Sequence, residues 1–415
     1  MTVRLKVLVC AYACEPGKGS EPGVGWNVAK ELAKHHDIWV LTRASNRAVI
    51  DAELAKSPVP NLQLAFYDLP VWARWWKKGG RGAQLYYYLW QLASVSAARA
   101  LHRHVGFDAS HHLTFVKYWA PSAAAIVGLP FVWGPVGGGE STPGSFFDTL
   151  SPAGRLYERL RSAARWVGER DPLVRFTARR SGVAFATTRA SAERMRAIGA
   201  TNVRVLPAVG IGHDDLSDDQ PAGSVSRPGT RFVSVGRLLP LKAFNLALRA
   251  FAAADLSDSE YWVIGDGPER EHLESLALSL GVADRVTFLG QVSRGEVLQR
   301  LRACTALVHP SLHESGGWVS LEAMAAGKPV ICLDLGGLAL QVTASTGFKV
   351  GADNPDQAVT DIAHAMRRLA MDSGLAAEMG AASIERVSTV FDWAQKARVI
   401  GDAYVEVVTQ NRDRT

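Results

Sequence analysis

The stretch His309–Ile331, HPSLHESGGWVSLEAMAAGKPVI, decides the reading of this chain. It starts inside an apolar run, TALVHPS, that reads as a buried strand. GWVSLEAMAAG then has helical composition, and PVICLD opens another strand. A crossover of about a dozen residues between two such strands is what a βαβ unit with parallel strands requires. Glu314 lies in the loop after the first strand, and Glu322, eight residues on, lies inside the helix. Between them, Ser315, Gly316 and Gly317 let the backbone close on a ligand and present amides at a helix N-terminus. That setting suits a diphosphate or a sugar hydroxyl. A carboxylate such as Glu322 suits a ribose diol, as the acidic residue of a dinucleotide fold does.

The alternation extends in both directions. RFVSVGRL, YWVIGDG and VTFLG read as strands separated by the helical KAFNLALRAFAAA and EREHLESLALSLG. Earlier in the chain LKVLVCAYA, DIWVLTRA, NLQLAFYDL, DASHHLTF, PFVWGPVGGG and GVAFATT repeat the pattern, and Asp356–Val408 is mostly helical. Apolar strands alternating with helices indicate parallel sheets covered on both faces. The fold class is therefore α/β with two Rossmann-like domains, and 415 residues is a length that suits two cores. The segment 212–229, GHDDLSDDQPAGSVSRPG, is the best linker candidate. The expected division is an N-terminal acceptor-binding domain over 1–211, the linker, a donor-binding domain over 230–385 and a terminal helix over 386–415. The DDLSDD run within the linker reads as solvated charge, and no metal is expected.

In SVGRLLPLKAF, Gly236 and Arg237 end a strand and Lys242 stands near the start of a helix. Arginine offers phosphate a planar fork and lysine a compact charge, the clamp a departing nucleoside diphosphate needs. IGDGP, with Gly267, makes a further strand-end turn that would line the base or the diphosphate. Taken singly these residues could be surface charges, helix caps or tight turns. Together, GRL followed by Lys242, GDGP and the glutamate pair of ESGGWVSLE resemble retaining glycosyltransferase family 4, bacterial polysaccharide-biosynthesis type.

The resemblance implies the GT-B fold, with two domains facing a central cleft and a C-terminal helix, bearing Phe391, Trp393 and Tyr404, packed back on the first domain. It implies a nucleotide-diphosphate sugar as donor substrate, with no other cofactor. Arg237 and Lys242 would bind the donor diphosphate, Glu322 the ribose, and Glu314 would approach the transferred sugar beside the amides of Gly316 and Gly317. Two departures stand out. Ala243 occupies a position where glycine commonly follows the lysine, and LPAVGIG, residues 206–212, replaces the usual Pro-Asn-Gly-Val-Asp turn.

In the N-terminal half, CEPGKGSEPGVGWN reads as a loop after the first strand, with Gly23 and Gly25 bringing amides toward a phosphate or sugar. A plain tight turn is the alternative. The long CEPGKGSEPGVGW form resembles that of a bacterial subgroup of polysaccharide-assembly enzymes, and this resemblance makes Glu15 and Glu21 candidate acceptor contacts. His111 and His112 end a strand, and alternation sends them to opposite sides. The resemblance implies a functional histidine near the transferred sugar and does not by itself separate these two; alternation favours His112, holding sugar or acceptor by a hydrogen bond, although a strand-end histidine is more often structural. In WGPVGGGE, Glu140 is a candidate for binding a hydroxyl or assisting acceptor deprotonation.

Trp72, Trp75 and Trp76, followed by Lys77, Lys78, Arg81, Tyr86, Tyr87, Tyr88 and Trp90, suit a bilayer interface or a lipid-linked acceptor. Packing of these aromatics into the domain is the competing account. The 46 Lys and Arg against 40 Asp and Glu give a charge of +6, a mild bias toward anionic partners. No zinc-finger spacing or lysine–arginine tract is present, so nucleic acid is not an expected partner. The four cysteines are scattered, and no uncharged apolar stretch reaches the ~18 residues of a membrane span. A cytoplasmic protein is expected, with peripheral contact at the inner face of an anionic membrane.

The function expected is retaining transfer of a sugar to an acceptor hydroxyl, free or on a lipid-linked saccharide, in polysaccharide or glycolipid biosynthesis. The alternatives are a nucleotide-sugar 2-epimerase of similar fold and a non-catalytic sugar-nucleotide-binding protein.

Overall fold

The computed structural model describes residues 4–74, 76, 82–212 and 229–413. Residues 213–228 of the expected linker, with the DDLSDD run, and Trp75, Lys77, Lys78 and Arg81 lie outside the described residues. The chain divides into two compact units: Met1–Gly139 with Ala163–Val209 and Trp393–Thr415, and Glu140–Ser162 with Gly210–Asp392.

The first unit is built on seven strands: β1 (Lys6–Ala11), β2 (Asp37–Arg43), β3 (Leu62–Tyr67), β4 (Ala109–Thr114), β5 (Phe131–Val136), β6 (Val183–Ala186) and β7 (Val203–Val205). They pair in the order β3-β2-β1-β4-β5-β6-β7, every neighbour parallel. The central strands β1, β4 and β5 are buried almost throughout, which is why they read as unbroken apolar runs. Around the sheet lie α1 (Ser20–Leu32), α2 (Arg47–Lys56), α3 (Ala83–Val105), α4 (Ala123–Val127), α6 (Pro172–Arg180), α7 (Arg189–Ala197) and α15 (Trp393–Arg412). α5 (Pro152–Gly168) is one continuous helix preceding α6. Local chemistry fixes several of the ends. Asp171 caps α6 ahead of Pro172, Thr188 caps α7, and Gly106 stops α3 in the left-handed conformation.

Two expectations for this half are corrected. Gly23 and Gly25 are not in a loop: α1 begins at Ser20, and both glycines are buried inside it. A side chain at Gly25 would run into the carbonyl oxygen of Ala13, so this glycine serves close packing of helix on chain. In the aromatic stretch, Tyr86, Tyr87 and Trp90 are core residues grouped around Tyr12 at ring separations of 6.5, 5.0 and 5.3 Å, Tyr86 tilted and the other two edge-on. They do not face outward, whereas Trp72 does, at 77% exposure.

The second unit has six parallel strands: β8 (Thr230–Val235), β9 (Ser259–Ile264), β10 (Val286–Gly290), β11 (Ala306–His309), β12 (Val330–Leu333) and β13 (Gly347–Val350). Their order is β10-β9-β8-β11-β12-β13. The helices are α8 (Phe244–Ala254), α9 (Arg270–Ser279), α10 (Arg294–Ala303), α11 (Trp318–Ala325), α12 (Leu338–Gln341), α13 (Pro355–Met371) and α14 (Ser373–Val390). Its core joins Phe232, Phe251 and Tyr261 from the first strands and helix to Ile362 and Met366 of α13. Burying each such side chain contributes about 1.5–3 kcal/mol. Phe146 and Leu150, from the stretch between β5 and α5, enter this same core, which explains why Glu140–Ser162 groups with the second unit. Position 386 falls inside α14, and the return to the first unit comes at Trp393.

Candidate functional site

In the second sheet the strand order reverses between β8 and β11, and ligands of open α/β sheets bind beyond the carboxyl ends of strands at such a point. The sequence candidates sit there. β8 runs out into Gly236 and Arg237, and Lys242 closes a 3-10 turn, Pro240–Lys242, before α8. β11 ends at His309 and leads to Glu314. Hydrogen bonds tie the two loops together: the amide of Leu312 donates to Leu241 O at 2.9 Å, and Ser311 Oγ donates to the same carbonyl at 3.2 Å.

Glu314 is the hub. Its Oε2 accepts from Lys242 Nζ and lies 3.5 Å from His309 Nε2. Its Oε1 takes the amides of Gly316 and Gly317 at 3.3 and 3.0 Å. Burial by itself would raise this carboxyl, but the Lys242 charge and the His309 hydrogen bond outweigh it. They hold the group well below the usual carboxylate range. His309 is depressed chiefly by burial and therefore stays neutral, so its contact with Glu314 is a hydrogen bond and not an ion pair.

The amides expected to meet a diphosphate are thus already occupied by Glu314. Gly317, left-handed at φ 61°, starts α11, a conformation that glycine adopts without strain. Ser320 Oγ bonds Gly317 O at 2.6 Å, and Gln341 Nε2 bonds Gly316 O, bracing the loop.

Other candidates take separate places. Arg237 is exposed, with its carbonyl accepting from Leu239 N at 2.8 Å. Glu322, on α11, has Arg294 NH2 at 3.3 Å from Oε1. Gly267 packs against the backbone of Leu238, and Leu238 N donates to Asp266 O at 3.0 Å, clasping GRL to GDGP. Ser315 Oγ donates to Glu140 Oε2 at 2.7 Å, and His313 Nε2 lies 3.0 Å from Glu140 O. His309, Gln341, Arg294 and His313 escaped the sequence reading. His309 was signalled by its place at the end of β11, while Gln341 and Arg294 lie far along the chain and gave no local signal.

In the first unit the reversal falls between β1 and β4, and His112 stands near the carboxyl end of β4. The two histidines separate clearly. His111 Nδ1 meets Tyr404 Oη of α15 at 2.6 Å and its Nε2 meets Gly134 O at 2.6 Å, so both nitrogens are used inside the core. His112 Nε2 lies 3.3 Å from Phe115 O and 3.4 Å from Tyr87 Oη, and its buried Nδ1 has no hydrogen-bond partner among the described residues. Burial lowers the two rings to about 3 and about 4, so both are neutral near pH 7. Glu21 accepts the amide of Val116 and is pushed up to about 7 by burial, while Glu15 lies 3.9 Å from Arg43. Among the described residues no group of three or more His, Cys, Asp or Glu side chains is placed to hold a metal ion. No helix among them is long and apolar enough to cross a membrane.

Residues 221–386, which contain the Lys242–Glu314 cluster, match the family described as glycosyl transferases group 1. The chain carries a group 1 glycosyl transferase domain. The transferase domain has curated relatives, among them a D-inositol 3-phosphate glycosyltransferase of Streptomyces avermitilis. That protein is 35% identical over 191 residues, 43% of this chain and 40% of its own length. The match thus spans about two-fifths of the curated relative. Solved structures resemble the whole chain. Sucrose-phosphate synthase from Thermosynechococcus elongatus covers 98% of it and all of its own length, with a TM-score of 0.64 at 19% identity. HepE of Anabaena, solved with UDP-glucose, covers 97% and all of its own length, with a TM-score of 0.62 at 19% identity. These likenesses extend beyond the transferase domain to both units and establish the GT-B fold.

Proposed function

We propose that this protein is a retaining glycosyltransferase that moves a sugar from a nucleotide-diphosphate sugar to an acceptor hydroxyl in polysaccharide or glycolipid biosynthesis. The observation that carries the reading is the Lys242–Glu314–Gly316–Gly317 cluster at the switch point of a group 1 transferase domain. Lys242 and Arg237 hold the donor diphosphate, Glu322 the ribose, and Glu314 with its loop stands beside the transferred sugar. HepE, of the same fold, was solved with UDP-glucose, which makes a UDP-hexose the first donor to try.

The C1–O bond to the β-phosphate breaks as negative charge gathers on the leaving diphosphate, where Lys242 and Arg237 stabilise it. The acceptor oxygen bonds to C1 on the face just vacated, and its proton passes to a β-phosphate oxygen. The products are a glycoside of retained configuration and the nucleoside diphosphate. The first unit supplies the acceptor side, with neutral His112 a hydrogen-bond partner for sugar or acceptor. The acceptor proposed is a saccharide hydroxyl, lipid-linked and met at the inner face of an anionic membrane.

A panel of UDP-, GDP- and TDP-sugars, read as diphosphate release, tests this. Release that depends on added acceptor supports transfer. Release without acceptor, or conversion to a C2-epimer, would favour a 2-epimerase. Near-normal transfer by both Lys242→Ala and Glu314→Ala would overturn the site, since each should lose at least ~10-fold.

A further inference from the structure

Helix α5 is amphipathic in the reverse sense to a soluble protein's surface helix. Its inward side carries Gly154, Glu158 and Arg165, all buried. Arg165 NH1 lies 3.4 Å from Gly139 O, the half-buried Arg161 donates through NH1 to Glu140 O at 2.9 Å, and Glu158 Oε2 accepts from Thr142 Oγ1 at 3.2 Å. Its outward side carries Leu156, Leu160 and Val167 at 58, 62 and 61% exposure, with Tyr157 at 57% beside them. At 100° per residue these fall with Ala153 and Ala164 in one stripe about 100° wide, the width a surface helix ordinarily turns toward its core. Here that stripe faces solvent.

What surrounds the stripe identifies its occupant. Arg159 lies along one margin, and Arg170 follows the last turn with its guanidinium 3.7 Å over the exposed Trp166 ring. Residues 152–180 hold eight arginines against three acidic residues. An apolar strip with a tryptophan and arginines at its border matches the boundary between acyl chains and anionic headgroups. There the leucines enter the hydrocarbon, the indole sits at headgroup depth and the arginines meet phosphate. A helix of 17 residues lying in the plane needs no spanning length.

We infer that α5 is an in-plane membrane anchor that docks this protein on an anionic bilayer through Leu156, Leu160 and Val167. The anchor deepens the proposal of a lipid-linked acceptor by naming the surface that meets the bilayer. It is measured without donor or acceptor, so its failure leaves the transfer reaction untouched, and the converse also holds.

The test is sedimentation of the full chain with vesicles of phosphatidylglycerol or of phosphatidylcholine, for the wild type and for Leu156→Asp/Leu160→Asp. Both leucines are exposed, so the variant should keep the melting temperature of the wild type, which a thermal melt checks. Expected is binding to the anionic vesicles that weakens as salt rises from 50 to 500 mM, far weaker binding to phosphatidylcholine, and a loss of at least ~10-fold per leucine in the variant. Equal vesicle binding by variant and wild type would overturn the inference. So would a wild type that ignores both vesicles, and a dimer in sedimentation velocity that the variant converts to monomer would then assign the stripe to a second copy of this chain.

Discussion

Replacing Glu314 by Gln should move donor-site binding and turnover in opposite directions. The Glu314 carboxylate and the Lys242 ammonium neutralise each other, and a diphosphate arriving at Lys242 would meet the carboxylate as a like charge. At roughly 6 Å and an effective dielectric of about 40, one pair of charges interacts by about 1.4 kcal/mol, a factor of ten. The side-chain oxygen of Gln still accepts the amides of Gly316 and Gly317, so the loop keeps its shape, while Lys242 gains freedom to serve phosphate. Loss of the ion pair, whose side chains are 22 and 17% exposed, should destabilise the protein by about 1–3 kcal/mol. Calorimetric titration with UDP, or with whichever diphosphate the donor panel selects, should show binding about tenfold tighter than wild type. Transfer should fall at least ~10-fold, because the group proposed to stand beside the sugar has lost its charge. Diphosphate affinity equal to wild type or weaker, in a variant that melts cooperatively, would refute the placement of the leaving group at Lys242.

Other substitutions separate structure from chemistry. His111→Ala should cost about 3 kcal/mol in stability by orphaning Tyr404 Oη and Gly134 O, whereas His112→Asn should melt near wild type and lose at least ~10-fold in transfer. Equal melting temperatures for the two variants would contradict this division. Because both rings are neutral at physiological pH, the rate profile of transfer should show no inflection near pH 6.5 from either; an inflection there that His112→Asn removes would count against it. Gly25→Ala should lower the melting temperature strongly through its clash with Ala13 O, without changing nucleotide affinity in the folded fraction. Burial lowers the Lys396 amine to about 7 from 10.5, so between those values the unfolded chain holds a proton the folded chain has released. Stability therefore rises with pH across that window. Lys396→Met should flatten the rise between pH 7 and 9.5, and an unchanged slope would show that other groups set it.

Much of the second unit was legible because its pattern is local. Glu314, Gly316 and Gly317 lie within four residues, and parallel strands buried on both faces announce themselves as apolar runs. Pieces joined over distance were not legible. Gln341 reaches Gly316 from 25 residues away, and Glu140 reaches Ser315 from 175. The start of α1 was misread because Pro22, Gly23 and Gly25 lower intrinsic helix preference, while proline is well tolerated in a first turn and tight packing on Ala13 favours glycine. The aromatic run near Tyr86 was ambiguous for another reason: composition alone does not tell an inward tyrosine from an outward one. The reversed polarity of α5 was hidden altogether, since an apolar stripe in a sequence is ordinarily the side that faces in.

The bond between His111 and Tyr404 links residues 293 positions apart, and α15 is the last element of the unit that β1 begins. During synthesis the ribosome emits β4 long before the helix that completes its surroundings. The intervening second unit, whose core from β8 to α14 is almost contiguous, has all its strands and helices outside the tunnel first. The first unit must therefore wait, with His111 and its sheet face uncovered, until α15 has emerged. A message truncated before codon 393 should yield a nascent chain that chaperones retain, and that proteases remove from its N-terminal part while sparing residues 230–390.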